Sequence, residues 1–283
     1  MSLKGTLKLL LPDFIKSEIK AIGKTRELKK FTSQRKLHCV TENLLSEKGI
    51  SLPDIFNSDE IEGLWKKSQK ELDVLNIPDD TDGGVNAGDR RALYYLISKF
   101  KPGSVLEIGT HIGASTIHIA AALKANNIKA SFTTLDIRDV NSTSLKPWTK
   151  YGTKYSPAQM IEELKYETFV DFVTDASINY FENCQTRFDF IFLDGDHSAL
   201  AVYQEIPLAL RLLNTNGVIL LHDYFPGGKP LWSNNSVISG PYLATERLIQ
   251  ECGDLTVLPL GALPWTTKLN SNKTSLALLM KKN

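Results

Sequence analysis

Along most of this chain, short apolar runs alternate with amphipathic stretches, a pattern that begins near residue 83. Asp89 precedes a predicted helix in which Leu93, Leu96, Ile97 and Phe100 fall at i, i+3, i+4 and i+7, and Pro102-Gly103 ends it. β-like runs follow at 104–109, 131–135, 169–173, 188–193 and 218–221. Helical patterns separate them at 114–123, 156–166, 176–184 and 199–213. Strands that alternate with helices require right-handed crossovers, so the expected fold is α/β with a doubly wound, mostly parallel sheet. A helix near 241–252 and β-like runs at 255–260 and 274–280 add a two-strand antiparallel corner, which brings the sheet to seven strands.

Residues 1–82 read differently, as a helical extension ahead of a domain at 83–283. Ser58 caps a predicted helix at 58–75, with Asp59 and Glu60 in its first turn and Ile61, Leu64, Trp65 and Leu72 as its apolar stripe. Charge is uneven here: residues 1–40 carry ten Lys/Arg against Asp13, Glu18 and Glu27, while residues 41–100 carry seven basic and twelve acidic side chains. The basic segment 14–23 reads as a solvated helix face packed on its own protein, ahead of a contact with an anionic surface. Over the whole chain, 33 Lys/Arg and 32 Asp/Glu leave +1, which argues against a nucleic-acid partner. Cys39, Cys184 and Cys252 are far apart and form no C-x-x-C pair, so neither a disulfide framework nor a thiolate metal site is expected. No membrane span and no signal peptide are read, and a cytoplasmic location is the default, with a homo-oligomer left open.

In a doubly wound sheet, ligands bind at the carboxyl ends of the strands. The first run ends in Glu107 and a G-x-x-x-G turn, Gly109 to Gly113, which enters a helix N-terminus suited to an anionic group. A dinucleotide fingerprint would need a further glycine between them to admit a pyrophosphate. Asp136 ends the second run, at the place where an acidic side chain commonly accepts ribose hydroxyls. Together these residues suit a nucleoside bearing a carboxylate. Two later strand ends bring Asp194, Asp196, His197, His222 and Asp223 into one volume, and crowded carboxylates need something positive among them. Mg²⁺ suits hard carboxylate oxygens, although Asp196 and His197 also read as caps of the following helix and His222 as a satisfied buried histidine.

Glu107-x-Gly109-x-x-x-Gly113-x-Ser115, Asp136, Thr174-Asp175-Ala176-Ser177 and the Asp-rich segment beyond resemble class I S-adenosylmethionine-dependent methyltransferases over residues 83–283. The resemblance implies a Rossmann-like methyltransferase fold and S-adenosylmethionine as cofactor. By it, Glu107, Gly109 and Gly113 belong to the loop around the amino acid part, Ser115 binds the carboxylate, Asp136 holds the ribose, and Asp175, Ala176 and Ser177 meet the adenine. Asp194-Gly195-Asp196-His197-Ser198 with His222-Asp223-Tyr224 resembles the divalent-metal-dependent O-methyltransferases, including sugar O-methyltransferases and the related cephalosporin-hydroxylase-like proteins. That branch implies metal ligation by Asp194 and Asp223, with His222 a candidate for the third place, and Asp196 or His197 as base. The expected acceptor is a hydroxyl of a small molecule such as a sugar, diol or catechol. Two alternatives stand beside this reading: an NAD-linked oxidoreductase, and a nucleoside-binding protein without methyl transfer. The loop from Phe225 to Ser236 is placed to act as a lid, with Trp232 either covering the acceptor or anchoring the loop.

Overall fold

Side chains along a strand point alternately to opposite faces, and the run Phe188–Leu193 uses this to feed two cores. Phe190 and Phe192 enter one buried cluster, and Ile191 and Leu193 enter the other. The computed structural model describes residues 22–24, 26, 51–79, 84–166, 170–252 and 255–281. Most of the basic segment at 14–23 therefore lies outside the described residues, and only Ile22 and Gly23 of it are seen, in helical conformation. Described elements begin with helices α1 (Leu52–Phe56), α2 (Asp59–Leu72) and α3 (Ala87–Phe100). Then come β1 (Ser104–Ile108), α4 (Ala114–Ala125), β2 (Ser131–Asp136), α5 (Pro157–Glu163), β3 (Val170–Thr174) and α6 (Ser177–Asn183). The chain continues through β4 (Phe188–Leu193), α7 (Ala199–Leu212), β5 (Leu213–Leu221), α8 (Gly240–Cys252), β6 (Leu255–Pro259) and β7 (Ala277–Lys281).

Among the described residues the strands form one seven-stranded sheet in the order β3-β2-β1-β4-β5-β7-β6. Strands β1 to β5 pair in parallel, and β7 runs antiparallel between β5 and β6. This is the expected doubly wound methyltransferase-like sheet with its antiparallel corner. β5 begins well before 218, because Asn214, Thr215 and Asn216 are polar and hid the first half of the strand from an apolar-run reading.

Local chemistry sets the helix starts. Ser58 caps α2, accepting from the Ile61 N–H, as expected. The start of α3 differs from expectation: Asn86 is the cap, accepting from the Asp89 N–H, and Asp89 sits one turn inside. Helices α1 to α4 cover one face of the sheet, and α6, α7 and α8 cover the other. Ile55, Phe56, Ile61, Leu72 and Leu75 share the core of Phe190 and Phe192, each burial worth about 1.5–3 kcal/mol. The chain winds outward from β1 to β2 and β3, then returns to β4 on the other side of β1. That reversal opens a crevice at the carboxyl ends of β1 and β4.

Candidate active site

Four backbone hydrogen bonds stitch the strand exits together. The N–H of Gly109 donates to Leu135 O (2.7 Å), that of Asp194 to Ile108 O (2.9 Å), that of His222 to Leu193 O (3.0 Å) and that of Asp175 to Asp136 O (3.1 Å). Each loop therefore starts as an extension of the ladder beside it, which fixes where the following side chains leave the sheet. Gly109 has φ +100°, and a Cβ there would fall 2.7 Å from the carbonyl carbon of Asp194. Gly113 has φ +79°, and a Cβ there would fall 2.8 Å from Pro157 Cβ. Both glycines of the expected cofactor loop are thus required by the chain's own packing. Gly113 is also the N-cap of α4 and offers no side-chain cap, so the first N–H groups of this helix are left for an anion.

Glu107 is buried and accepts from Thr116 Oγ1 (2.5 Å) and Thr134 Oγ1 (2.7 Å). Ser115, also buried, contributes its hydroxyl to the same carboxyl. Asp136 accepts from the N–H of His111 (2.9 Å) and from Arg138 through its N–H (2.9 Å), Nε (3.1 Å) and Nη2 (3.2 Å). In the Asp175-Ala176-Ser177 turn, Asp175 Oδ1 accepts the Ala176 N–H (2.7 Å) and Ser177 Oγ donates to Glu205 Oε1 (2.5 Å).

The acidic cluster assembles as the topology requires. His222 Nδ1 lies 2.7 Å from Asp194 Oδ1 and 3.6 Å from Asp223 Oδ1. His197 Nε2 lies 3.5 Å from Asp223 Oδ2 and 4.0 Å from Asp194 Oδ1. Asp223 itself adopts φ +55°, a region few residues other than glycine occupy, and Ser275 Oγ donates to its Oδ1 at 3.4 Å. Asp196 is exposed and its Oδ1 accepts the Ser198 N–H (2.8 Å), where Ser198 caps α7. Trp232 anchors its loop, stacking edge-on against Phe225 and donating to Lys273 O at 3.3 Å.

Residues 106–224, from β1 to just beyond β5, match the family Methyltransf_24, described as a methyltransferase domain. That stretch of the chain is similar to a methyltransferase domain. Solved structures with this fold include the O-methyltransferase TomG of Streptomyces achromogenes in complex with SAM, with TM-score 0.52 and 17% identity over 80% of this chain and 91% of that one. A SAH-bound methyltransferase of Podospora anserina, PaMTH1, matches with TM-score 0.50 and 17% identity over 88% of this chain and 100% of its own. An O-methyltransferase of Bacillus cereus in complex with SAH matches with TM-score 0.50 and 19% identity over 82% and 95%. A comparison of the sequence with curated proteins finds no match.

Charge at these strand ends is balanced locally. Burial alone would lower the His222 imidazole, but Asp194 and Asp223 outweigh it and hold its pKa well above the usual histidine range. An imidazolium therefore supplies the positive charge that crowded carboxylates need. Burial would raise Asp223, yet His222, His197, Lys24 and Lys268 outweigh burial and lower it. The expected divalent metal would have to sit among these side chains. Its donor chemistry is present, but the donors are closed on one another, and among the described residues no three His, Cys, Asp or Glu side chains are grouped to hold an ion. As the side chains stand, His222 and His197 face the carboxylates at the place an ion would take.

Sequence reasoning missed three contributors to the domain's site. Asp89 is fully buried, accepts from Asn86 Nδ2 (2.7 Å) and sits 3.4 Å from His222 Nε2; nothing in a helix-start pattern pairs it with a residue so distant in sequence. Lys24, from the N-terminal region, reaches the site's edge, where its carbonyl accepts from Ser239 Oγ at 3.4 Å. Arg138 stands two residues beyond Asp136, a proximity that would have signalled the pair.

Burial pushes two carboxyls, Glu107 and Glu205, up to about 7 from 4.5. Such a group favours the folded state fully below its unfolded value of 4.5, and that contribution is lost as pH rises through 7. Replacing Glu205→Gln is therefore expected to flatten the fall in stability between these limits by up to about 3 kcal/mol. Urea unfolding of both proteins at a pH below and a pH above this window checks it; parallel stability curves would refute the assignment.

Proposed function

We propose that this chain is an S-adenosylmethionine-dependent O-methyltransferase acting on a hydroxyl of a small molecule, such as a sugar, diol or catechol-like compound. The observation that carries this reading is His197, a partly exposed imidazole whose Nε2 faces the Asp223 and Asp194 carboxylates beyond the ends of β5 and β4. SAM or SAH in the three similar O- and other methyltransferases supports the choice of donor. The open N–H groups at the start of α4 suit the donor's carboxylate, Asp136 its ribose, and the Asp175-Ala176-Ser177 turn its adenine. When bound, the donor supplies an electrophilic methyl group on a sulfonium.

The chain's own groups then do the rest. His197 takes the acceptor's hydroxyl proton as the oxygen forms its bond to the methyl carbon and the carbon–sulfur bond breaks. Asp223 and Asp194 stabilise the imidazolium that His197 becomes. Asp196, engaged with the start of α7, is the second candidate for that proton. Among the described residues no helix is long and apolar enough to cross a membrane. Three widely spaced cysteines are in keeping with a cytoplasmic enzyme.

A second reading retains a divalent ion, Mg²⁺ by the resemblance, held by Asp194, Asp223 and His222. What favours it is that Asp89 Oδ1 and both ring nitrogens of His222 are buried without an aligned hydrogen-bond partner. One experiment separates the readings: calorimetric titration with S-adenosylmethionine, then methyl transfer to a panel of sugars, diols and catechols with and without chelator. Binding in the micromolar range and transfer that survives chelation are expected. Transfer abolished by chelator and restored by Mg²⁺ would establish the metal. Binding without transfer to any acceptor would favour a noncatalytic nucleoside-binding protein, and no binding would sink the function proposed.

A further inference from the structure

The Asp136 carboxylate is saturated. A carboxylate has about four acceptor positions. Here Oδ1 takes the Arg138 N–H and Nε, and Oδ2 takes the His111 N–H and Arg138 Nη2, all within 3.2 Å. The two backbone donors are built into the turn and stay with the fold. The two guanidinium donors belong to a side chain that is 53% exposed. A ribose diol that docks on Asp136 needs acceptor positions that only the guanidinium can vacate.

We propose that Arg138 competes with the donor for its site: its guanidinium occupies the ribose carboxylate and must be displaced before the adenosyl group can dock. The inference rests on the proposed role of Asp136 as ribose acceptor. Tyr151 gives the displaced side chain a second partner: it already hydrogen-bonds Arg138 and packs edge-on against His111 with ring centres 4.4 Å apart. Displacement therefore costs the ion pair with Asp136 but leaves the guanidinium a hydrogen bond. The device acts on the ribose, so it weighs equally on any ligand with the same adenosyl group, whatever the charge at sulfur.

The test uses the full chain and two ligands that share the adenosyl group but differ in charge, S-adenosylmethionine and S-adenosylhomocysteine. Calorimetric titration of wild type and Arg138→Gln is expected to show the variant binding both ligands about 3- to 10-fold more tightly. Asp136→Asn is expected to weaken both. Tightening of the sulfonium ligand alone would overturn the proposal, because it would report long-range charge and not competition for the carboxylate. Weaker binding of both ligands by Arg138→Gln would overturn it too, by making Arg138 a contact of the bound donor. Unchanged affinities would show that no displacement occurs. If neither protein binds either ligand while both melt cooperatively, the reading of the site as a donor crevice fails, and the proposal with it.

Discussion

Replacing Gly109→Ala is expected to abolish donor binding and to destabilise the fold by about 3 kcal/mol or more. Two costs add. The backbone sits at φ +100°, where an L side chain is strained, and the new methyl group would press into the main chain of Asp194, which cannot retreat because its N–H is tied to Ile108 O. For a chain of this size the loss corresponds to a drop in melting temperature of about 5 °C. Scanning calorimetry reads the stability, and titration with S-adenosylhomocysteine reads the crevice. A variant that melts with the wild type would show that β1 and β4 exits are not locked as described.

His197→Ala should leave the fold and donor affinity intact while lowering kcat by about 10²- to 10⁴-fold, the usual worth of a positioned proton acceptor. Its side chain is 28% exposed, so truncation removes little packing. Single-turnover methyl transfer together with donor titration separates the two effects. Should kcat fall by less than tenfold in His197→Ala and collapse in Asp196→Ala, the proton acceptor would be Asp196 and the assignment of His197 would be wrong.

Much of the fold is legible because a parallel sheet buried on both faces writes itself as apolar runs, and β1, β2 and β4 end where those runs end. The first half of β5 was hidden because Asn214, Thr215 and Asn216 sit on its weakly buried part and carry no apolar signal. At the site, strand-end carboxylates were visible as a class, since topology alone brings Asp194 and Asp223 together. What surrounds them was not. From sequence, His222 is either a third metal ligand or a satisfied buried histidine, and only the structure sets its ring 2.7 Å from Asp194, where an imidazolium meets the same electrostatic need. Asp89 looked like a cap because helix starts favour acids for local reasons, and only the tertiary structure shows the imidazole beside it. The two glycines were read as part of the loop around the cofactor's amino acid end; the structure adds that their missing Cβ atoms make room for Asp194 and Pro157.

β7 enters the sheet between β5 and β6, and Ser275, just before it, both receives the Tyr224 N–H and donates to Asp223. During synthesis, then, the hydrogen-bonding edge of β5 stays open until β7, which follows it by a whole helix and β6, has left the ribosome. An open apolar edge of this kind is a template for wrong pairing, so the nascent protein passes through an aggregation-prone interval that the finished one does not have. The same late strand closes the acidic cluster. A ribosome-bound chain halted before residue 275 would lack both the Ser275 hydrogen bond to Asp223 and the strand that covers the edge of β5.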